Sequence, residues 1–483
     1  MNIHRFFKQT DSGLLVHALT AVILGMSAAC ATPPVNNVVV IHVDDLGWRD
    51  LGYMGSPVYE TPHIDALAES GTRYMHAYAA APICTPARAG MLTGSQPSRH
   101  GVYTVVKNRG AKKQWKVLPE QNNQFLPQDY PTIATVLTEA GIANAAIGKW
   151  HVGVSSPSNG FAAGALGGYL GLPINYFAPF ELDFLPQDAP EGAYLPVYVR
   201  EAGIDFLQRH QQERFFLYFC TYLPHDEIKN EDGATLDAPA AVVIKYQQKI
   251  AAMQAAGQDL DGHTNPVYAA MIEETDRSVG AIIDALDALG LREKTLVLFI
   301  SDNGGLGKYT SNAPLRGEKC TLYEGGIRVP MIASMPGTIE AGTVSDEPVS
   351  GIDFYPTLCR LFGVAPTAPN LVDGEDLTDL IFSGKSLGPR NLFWNFPVYN
   401  LPEFPARRPR SALRRGDWKL IHRYEDNGYE LYNLKEDIGE SNDLAASRPE
   451  MLAMMRAQLD ATYQRFNAVK NLPPNPEFEP GSR

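Results

Sequence analysis

The chain has 483 residues, 45% apolar and 20% charged, and its 41 basic and 54 acidic side chains give a formal charge of −13. That length allows about three domains, and the composition excludes long disorder, a collagen-like repeat and a polytopic membrane protein. An acidic chain is ill suited to sequence-independent nucleic-acid binding, which rests on Lys and Arg meeting phosphates, and five cysteines are too few for a disulfide scaffold.

At the N-terminus Arg5 and Lys8 precede an apolar run from about Leu14 to Ala29. The run is shorter than the ~20 residues of a membrane span, and Ser27, Ala28 and Ala29 lead into Cys30. Residues 1–29 therefore read as a removed secretory signal. Ser-Ala-Ala-Cys resembles a bacterial lipoprotein cleavage box, which makes Cys30 a candidate for lipidation; the alternative is a plain signal with an incidental cysteine. The expectation is an exported protein, periplasmic or an outer-membrane lipoprotein of a bacterium, touching the membrane only through that anchor.

Beyond the signal, Asn37–Val43 (NVVVIHV) is a β-branched run expected as a buried strand. Thr61-Pro62 opens a helix, with Thr as cap and Pro at the first position, and Gly71 ends it. A second helix is expected over Thr132–Ala140 and a short strand over Ala143–Ile147. Ser155 to Ala193, rich in Gly, Pro and aromatics, reads as a long loop insertion. Tyr198–His210 reads as a helix, Phe215–Cys220 as a strand, Val267–Leu289 as a long helix, and Leu296–Ile300 and Val329–Ala333 as strands. This alternation predicts an α/β domain over residues 36–386, with a large, mostly parallel sheet flanked by helices. From Leu387 the pattern changes. Asp417–His422 and Tyr429–Asn433 read as short antiparallel strands and Pro449–Arg465 as a helix. They form a small α+β subdomain over 387–470, followed by an extended Pro-rich tail over 471–483. Cys220 and Cys359 lie in apolar segments and are expected as buried free thiols.

Ligands of open α/β sheets bind beyond the carboxyl ends of the strands. Asp44 and Asp45 follow the first strand, Lys149 and His151 the second, His225 the third, and Asp302 and Asn303 the fourth. A single Asp there is often only a turn residue or helix cap, but four such ends together point to one shared site. Asp44, Asp45, Asp302 and Asn303 offer oxygen donors, which suit Ca²⁺ or Mg²⁺; zinc would favour His or Cys. Lys149 and Lys319 supply positive charge for an anion. His151 and His225 can act as acid or base near neutral pH. The set suggests hydrolysis of an oxyanion ester beside a divalent cation.

Cys84-Thr85-Pro86-Ala87-Arg88, continued by Ala89-Gly90-Met91-Leu92-Thr93-Gly94, fits the C-x-P-x-R signature of the type I sulfatases. The likeness runs through nearly the whole mature chain. Asp44-Asp45-Leu46-Gly47 and Ser301-Asp302-Asn303-Gly304 resemble that family's metal motifs, and Gly148-Lys149-Trp150-His151 its G-K-W-H. Leu315–Lys319 with Glu324–Pro330 resembles its lysine motif, and Gly416–Leu420 with Glu430–Asn433 its C-terminal subdomain. The resemblance implies an alkaline-phosphatase-like fold and conversion of Cys84 to Cα-formylglycine by a formylglycine-generating or anaerobic sulfatase-maturating enzyme. It implies one Ca²⁺ on Asp44, Asp45, Asp302 and Asn303, completed by the residue at 84, with Asp302 also a candidate base for the attacking hydroxyl. Lys149, Lys319 and His225 contact the sulfate, and His225 or Lys319 protonates the leaving alcohol. His151 deprotonates the hydrate, Arg88 anchors it, and Arg328 is structural.

The chemistry gives Cys84 a reason to be converted. A thiosulfate adduct of a thiol has no easy exit, whereas an aldehyde hydrate has one hydroxyl to attack sulfur and a second to expel sulfate. Pro86 and Arg88 sit where a helix should begin, and a helix N-terminus favours an anionic oxygen. Two departures stand out: Ala87 replaces a common serine, and Pro224-His225 is followed by Asp226-Glu227-Ile228, where relatives often have a further proline.

Arg99 and His100 are candidates for a substrate subsite or a structural turn. Arg407, Arg408, Arg410, Arg414 and Arg415 read either as a solvated face or as a reader of further sulfates or carboxylates. Trp394, Tyr399, Tyr169, Tyr176 and Phe177 suit sugar stacking or core packing equally. The expectation is a sulfatase acting on a sulfated carbohydrate or polysaccharide fragment. The alternatives are a phosphonate or phosphodiester hydrolase of the same superfamily, and a non-catalytic glycan-binding lipoprotein whose Cys84 stays a thiol.

Overall fold

The computed structural model describes residues 35–107, 111–229, 233–400 and 408–482. The expected signal with Cys30, and Arg407, lie outside them. Among the described residues no helix is long and apolar enough to cross a membrane.

The main sheet contains β1 (Asn37–Val43), β2 (Thr72–Tyr74), β3 (Ala143–Gly148), β4 (Ala163–Ala165), β5 (Phe215–Cys220), β6 (Thr295–Ser301), β7 (Met331–Ser334) and β8 (Thr343–Ser345). Its order is β8-β2-β7-β6-β1-β5-β3-β4. All neighbours run parallel except β7, which is antiparallel to both β6 and β2. The insertion is therefore not all loop, because Ala163–Ala165 adds a parallel edge strand beside β3.

Every residue of β1, β5 and β6 is buried, as continuous apolar runs require when both faces are covered. The faces alternate. Val39, Ile41 and Val43 join Leu217, Phe219, Val297 and Phe299 on one side. Val38 and Val40 join Phe216, Tyr218, Leu298 and Ile300 on the other. The principal helices are α1 (Pro62–Glu69), α2 (Cys84–Thr93), α3 (Ile133–Glu139), α4 (Leu195–Arg209), α5 (Ala240–Ala255), α6 (Pro266–Ala288), α7 (Phe354–Phe362) and α8 (Pro449–Arg465). Residues of α1, α4, α5 and α6 enter the first core, and those of α2, α3 and α7 the second. Each fully buried aliphatic side chain contributes about 1.5–3 kcal/mol. Cys220 and Cys359 are buried free thiols within these layers.

Local signals fix several ends. Thr132 caps α3 through a reciprocal box with Thr135. At α1, Thr61 does not cap as expected; its hydroxyl donates to Asp65 and accepts from the Gly52 N–H. The helix expected from Tyr198 starts three residues earlier, at Leu195 behind Tyr194.

A second sheet of β9 (Asn391–Phe396), β10 (Arg410–Arg415), β11 (Trp418–Arg423) and β12 (Gly428–Asn433) is antiparallel throughout. Helix α8 packs Met455, Leu459 and Tyr463 against Phe393, Leu413, Leu420 and Leu431. The basic run of β10 is partly taken up by the fold. Arg414 is buried and donates to the Tyr78 hydroxyl and His76. Arg410 donates to Tyr323 and Arg415 to Asn391. A buried triad joins this sheet to the main α/β layer: Lys419 Nζ lies 2.8 Å from Glu324 and 2.9 Å from Glu440.

Candidate active site

The four adjacent strands β6, β1, β5 and β3 deliver the expected charged residues at one edge of the sheet. Asp44 follows β1 directly, and Asp45 turns away at φ 57. That left-handed backbone is stabilised by its N–H, which donates to Asp302 Oδ1 at 3.1 Å. The neighbouring turn is braced from below. Asp50 accepts from the Gly47 N–H at 2.9 Å, the Tyr268 hydroxyl at 2.6 Å and the Thr310 hydroxyl at 2.6 Å.

Cys84 opens α2 and is buried, its Sγ 3.6 Å from Asp44 Oδ1 and 3.8 Å from Asp45 Oδ1. Ligand atoms of Asp44, Asp45, Cys84 and His225 all lie within 4.8 Å of one another. Arg88, one turn further along α2, donates Nε to Asp302 Oδ2 at 2.8 Å and Nη1 to the Lys149 carbonyl at 3.0 Å. Lys149 Nζ is on Asp44 Oδ2. Lys319 Nζ is 2.6 Å from Asp45 Oδ2 and 3.0 Å from His225 Nε2. Asn303 Nδ2 donates to Asp45 Oδ1 at 2.8 Å, while its Oδ1 is buried without a partner. An unsatisfied buried carbonyl oxygen beside three carboxylates fits a hard cation, so the donor set suits Ca²⁺.

The electrostatics separate the two histidines. Burial pushes His151 down, and Lys149 and Arg88 push it further, well below the ordinary histidine range. It is therefore a neutral imidazole, and its Nδ1 is buried without a partner. Burial and Lys319 also push His225 down, but Asp45 and Asp44 outweigh them and hold it well above that range. Its Nδ1 lies 2.8 Å from Asp226 Oδ1, and Asp226 stays at about 2 despite burial because His225 donates to it. Burial raises Asp44 to about 6 in spite of Lys149. At Asp302, burial is outweighed by Arg88 and then Lys149, leaving it well below the carboxylate range. Such a carboxylate suits a cation ligand better than a base.

The remaining candidates lie elsewhere. Arg99 is held by Asp373 through contacts of 2.7 and 2.9 Å. His100 is buried, accepting from the Val102 N–H. Both therefore have structural partners. Arg328 donates twice to the Met75 carbonyl, pairs with Glu324 and stacks on Trp48. Trp394 and Tyr176 are core residues, and Phe177 and Tyr399 stack on Tyr194 and Trp115. Tyr169 alone of these aromatics is exposed.

Asp226 and Gly171 are site residues that the sequence reading did not assign. Asp226 was visible as a departure after His225. Gly171 carries no sequence signal, yet it lies against the His151 ring.

A family model described as sulfatase matches residues 36–364, and one described as N-sulphoglucosamine sulphohydrolase, C-terminal, matches 317–466. A sulfatase of Formosa agariphila is 31% identical over 97% of this chain and 95% of its own. The N-acetylgalactosamine-6-sulfatase of Canis lupus familiaris is 32% identical over 79% of this chain and 72% of its own. The crystal structure of Ps i-CgsB in complex with k-i-k-neocarrahexaose superposes with a TM-score of 0.72 at 26% identity, covering 90% of this chain and 94% of that one. With these likenesses added to the geometry, the chain belongs to the sulfatase family of the alkaline-phosphatase-like superfamily and is a sulfuric ester hydrolase.

Proposed function

We propose that this sulfatase cleaves a sulfate ester on a carbohydrate, using formylglycine made from Cys84 and one Ca²⁺ held by Asp44, Asp45, Asp302 and Asn303. The observation that carries the reading is the Cys84 Sγ at the start of α2, within 3.8 Å of both Asp44 and Asp45. When present, the aldehyde hydrate supplies an attacking and an expelling hydroxyl, and Ca²⁺ supplies Lewis acidity toward the sulfate.

The chain's own groups do the rest. Lys149 and Lys319 bind sulfate oxygens from the two carboxylates they now contact. Arg88 anchors the hydrate while fixing Asp302. His225, its Nδ1 held by Asp226, donates from Nε2 to the departing alcohol. His151, kept neutral, removes the hydrate proton. Two histidines in different surroundings let one site hold both an acid and a base.

The carbohydrate class follows the printed names of the relatives, an N-acetylgalactosamine-6-sulfatase and a protein bound to a neocarrahexaose. Residues 1–30 support export, to the periplasm or to the outer membrane as a lipoprotein on Cys30. Maturation then requires a formylglycine-generating or anaerobic sulfatase-maturating partner. The test is a turnover panel with protein expressed beside such an enzyme. Sulfated saccharides should be turned over faster than phosphate diesters or phosphonates. Faster phosphoryl turnover would overturn the reading, as would glycan binding without turnover.

A further inference from the structure

A polar cavity of about 230 Å³ lies between the catalytic layer and the second sheet. Its polar lining includes Gln96, Asp353, Asp373, Glu375, Arg390, Arg415 and Arg465. It is not the active site. Gly94 and Ser95 lead out of α2 into Gln96, so the cavity lies at the opposite end of that helix from Cys84. Ten helical residues span about 15 Å.

Two of the three acids of the wall are already engaged, and the third, Glu375, is exposed to solvent. Asp353 accepts from the Ser350 and Glu375 N–H groups and from Arg390 Nη2. Asp373 accepts from the Gln96 N–H and from Arg99. The cations are met only in part, Arg390 by Asp353 through Nη2 alone. Arg390 Nε and Nη1 are buried without hydrogen-bond partners. Arg415 donates to the Asn391 amide oxygen, and Arg465 stacks on Phe466, so neither contact meets its charge with a carboxylate. Gln96 Oε1 is also buried and unpartnered. A guanidinium cannot shed its proton, and buried charged donors left unmade are costly. The group that satisfies such donors best is a planar or tetrahedral oxyanion, while Gln96 Oε1 can accept from a hydroxyl beside it.

We propose that this cavity is a second oxyanion site, taking a sulfate or carboxylate group between Arg390, Arg415 and Arg465. It does not depend on formylglycine chemistry.

The test uses the whole mature protein. Crystals soaked in sodium selenate, whose selenium scatters anomalously, should show a peak within hydrogen-bond reach of Arg390 Nε or Nη1, separate from any peak beside Lys149. Calorimetric titration with sodium sulfate, in a Lys149→Ala, Lys319→Ala background and at constant ionic strength, should show saturable binding. Arg390→Gln should weaken it at least ~10-fold. Gln96→Glu, which keeps the arginines and adds a carboxylate to the wall, should do the same and serves if Arg390→Gln does not fold. Tighter binding of a sulfated disaccharide than of sulfate would assign the site to a distal group of a glycan, and equal or weaker binding to the free anion. Either result supports the site. A cavity holding only water, or selenate in crystals without saturable binding in solution, overturns it.

Discussion

Gly171→Ala tests how the insertion holds the proposed base. A Cβ at position 171 would lie 2.1 Å from both Cε1 and Nδ1 of His151. Ordinary contact begins at 3.4 Å, so ring or loop must give by 3.4 − 2.1 = 1.3 Å. The backbone beneath the ring is pinned. His151 is itself in a left-handed conformation at φ 58, and its N–H is tied to the Gly168 carbonyl at 3.0 Å. A displacement of about 1 Å at a reacting group costs on the order of 10²-fold in rate, equivalent to about 2.7 kcal/mol of barrier. The assay is kcat on a sulfated saccharide, with Tm from calorimetry as the check on folding. The account predicts a fall of about 100-fold in kcat with the fold retained. A folded variant within about threefold of wild type would refute the claim that His151 must stay where Gly171 allows it.

Other outcomes follow from the same geometry. His225→Gln should slow alkyl sulfates by about 10²-fold or more and activated aryl sulfates far less, because only a poor leaving group needs a proton; equal losses on both would remove the acid role. Chelation with EGTA should lower activity and Tm together, and Ca²⁺ should restore both. A ligand at 100 times its Kd stabilises by about 2.7 kcal/mol, so an unchanged Tm would argue against a resident cation. The Lys419 triad predicts a pH dependence of stability. Burial raises Glu440 from 4.5 to about 7 against the pull of Lys419, so its contribution declines as pH rises through that window. Glu324 is pushed up by burial but held at about 2 by Lys419, so its contribution is lost as pH falls from 4.5 toward 2. Glu440→Gln should flatten the decline between pH 4.5 and 7 in chemical-denaturation series, and an unaltered slope would contradict it.

The sheet was legible because buried parallel strands must be continuous apolar runs. Asn37–Val43 and Phe215–Cys220 match the observed strands residue for residue. The candidate site was legible for a related reason. Asp44, Lys149, His225 and Asp302 each follow a strand, and four adjacent parallel strands bring their ends together.

What escaped is also explicable. Strand Arg410–Arg415 looks polar by composition, yet Arg410 and Arg414 are absorbed by Tyr323, Tyr78 and His76. Its partner Asn391–Phe396 was hidden with it. Helix Ala240–Ala255 opens on Pro239 without a side-chain cap, so its start carried only the proline. Gly171 could not be found at all, since its importance is a distance to a ring twenty residues earlier in the chain.

The central claim is that Cys84 is the precursor of the nucleophile. The most direct measurement is a mass spectrum of the Cys84 peptide from active protein, paired with turnover of the same sample. The account predicts an aldehyde in place of the thiol, in a fraction that tracks kcat, and no activity in Cys84→Ala. An unmodified thiol in a fully active preparation would contradict it.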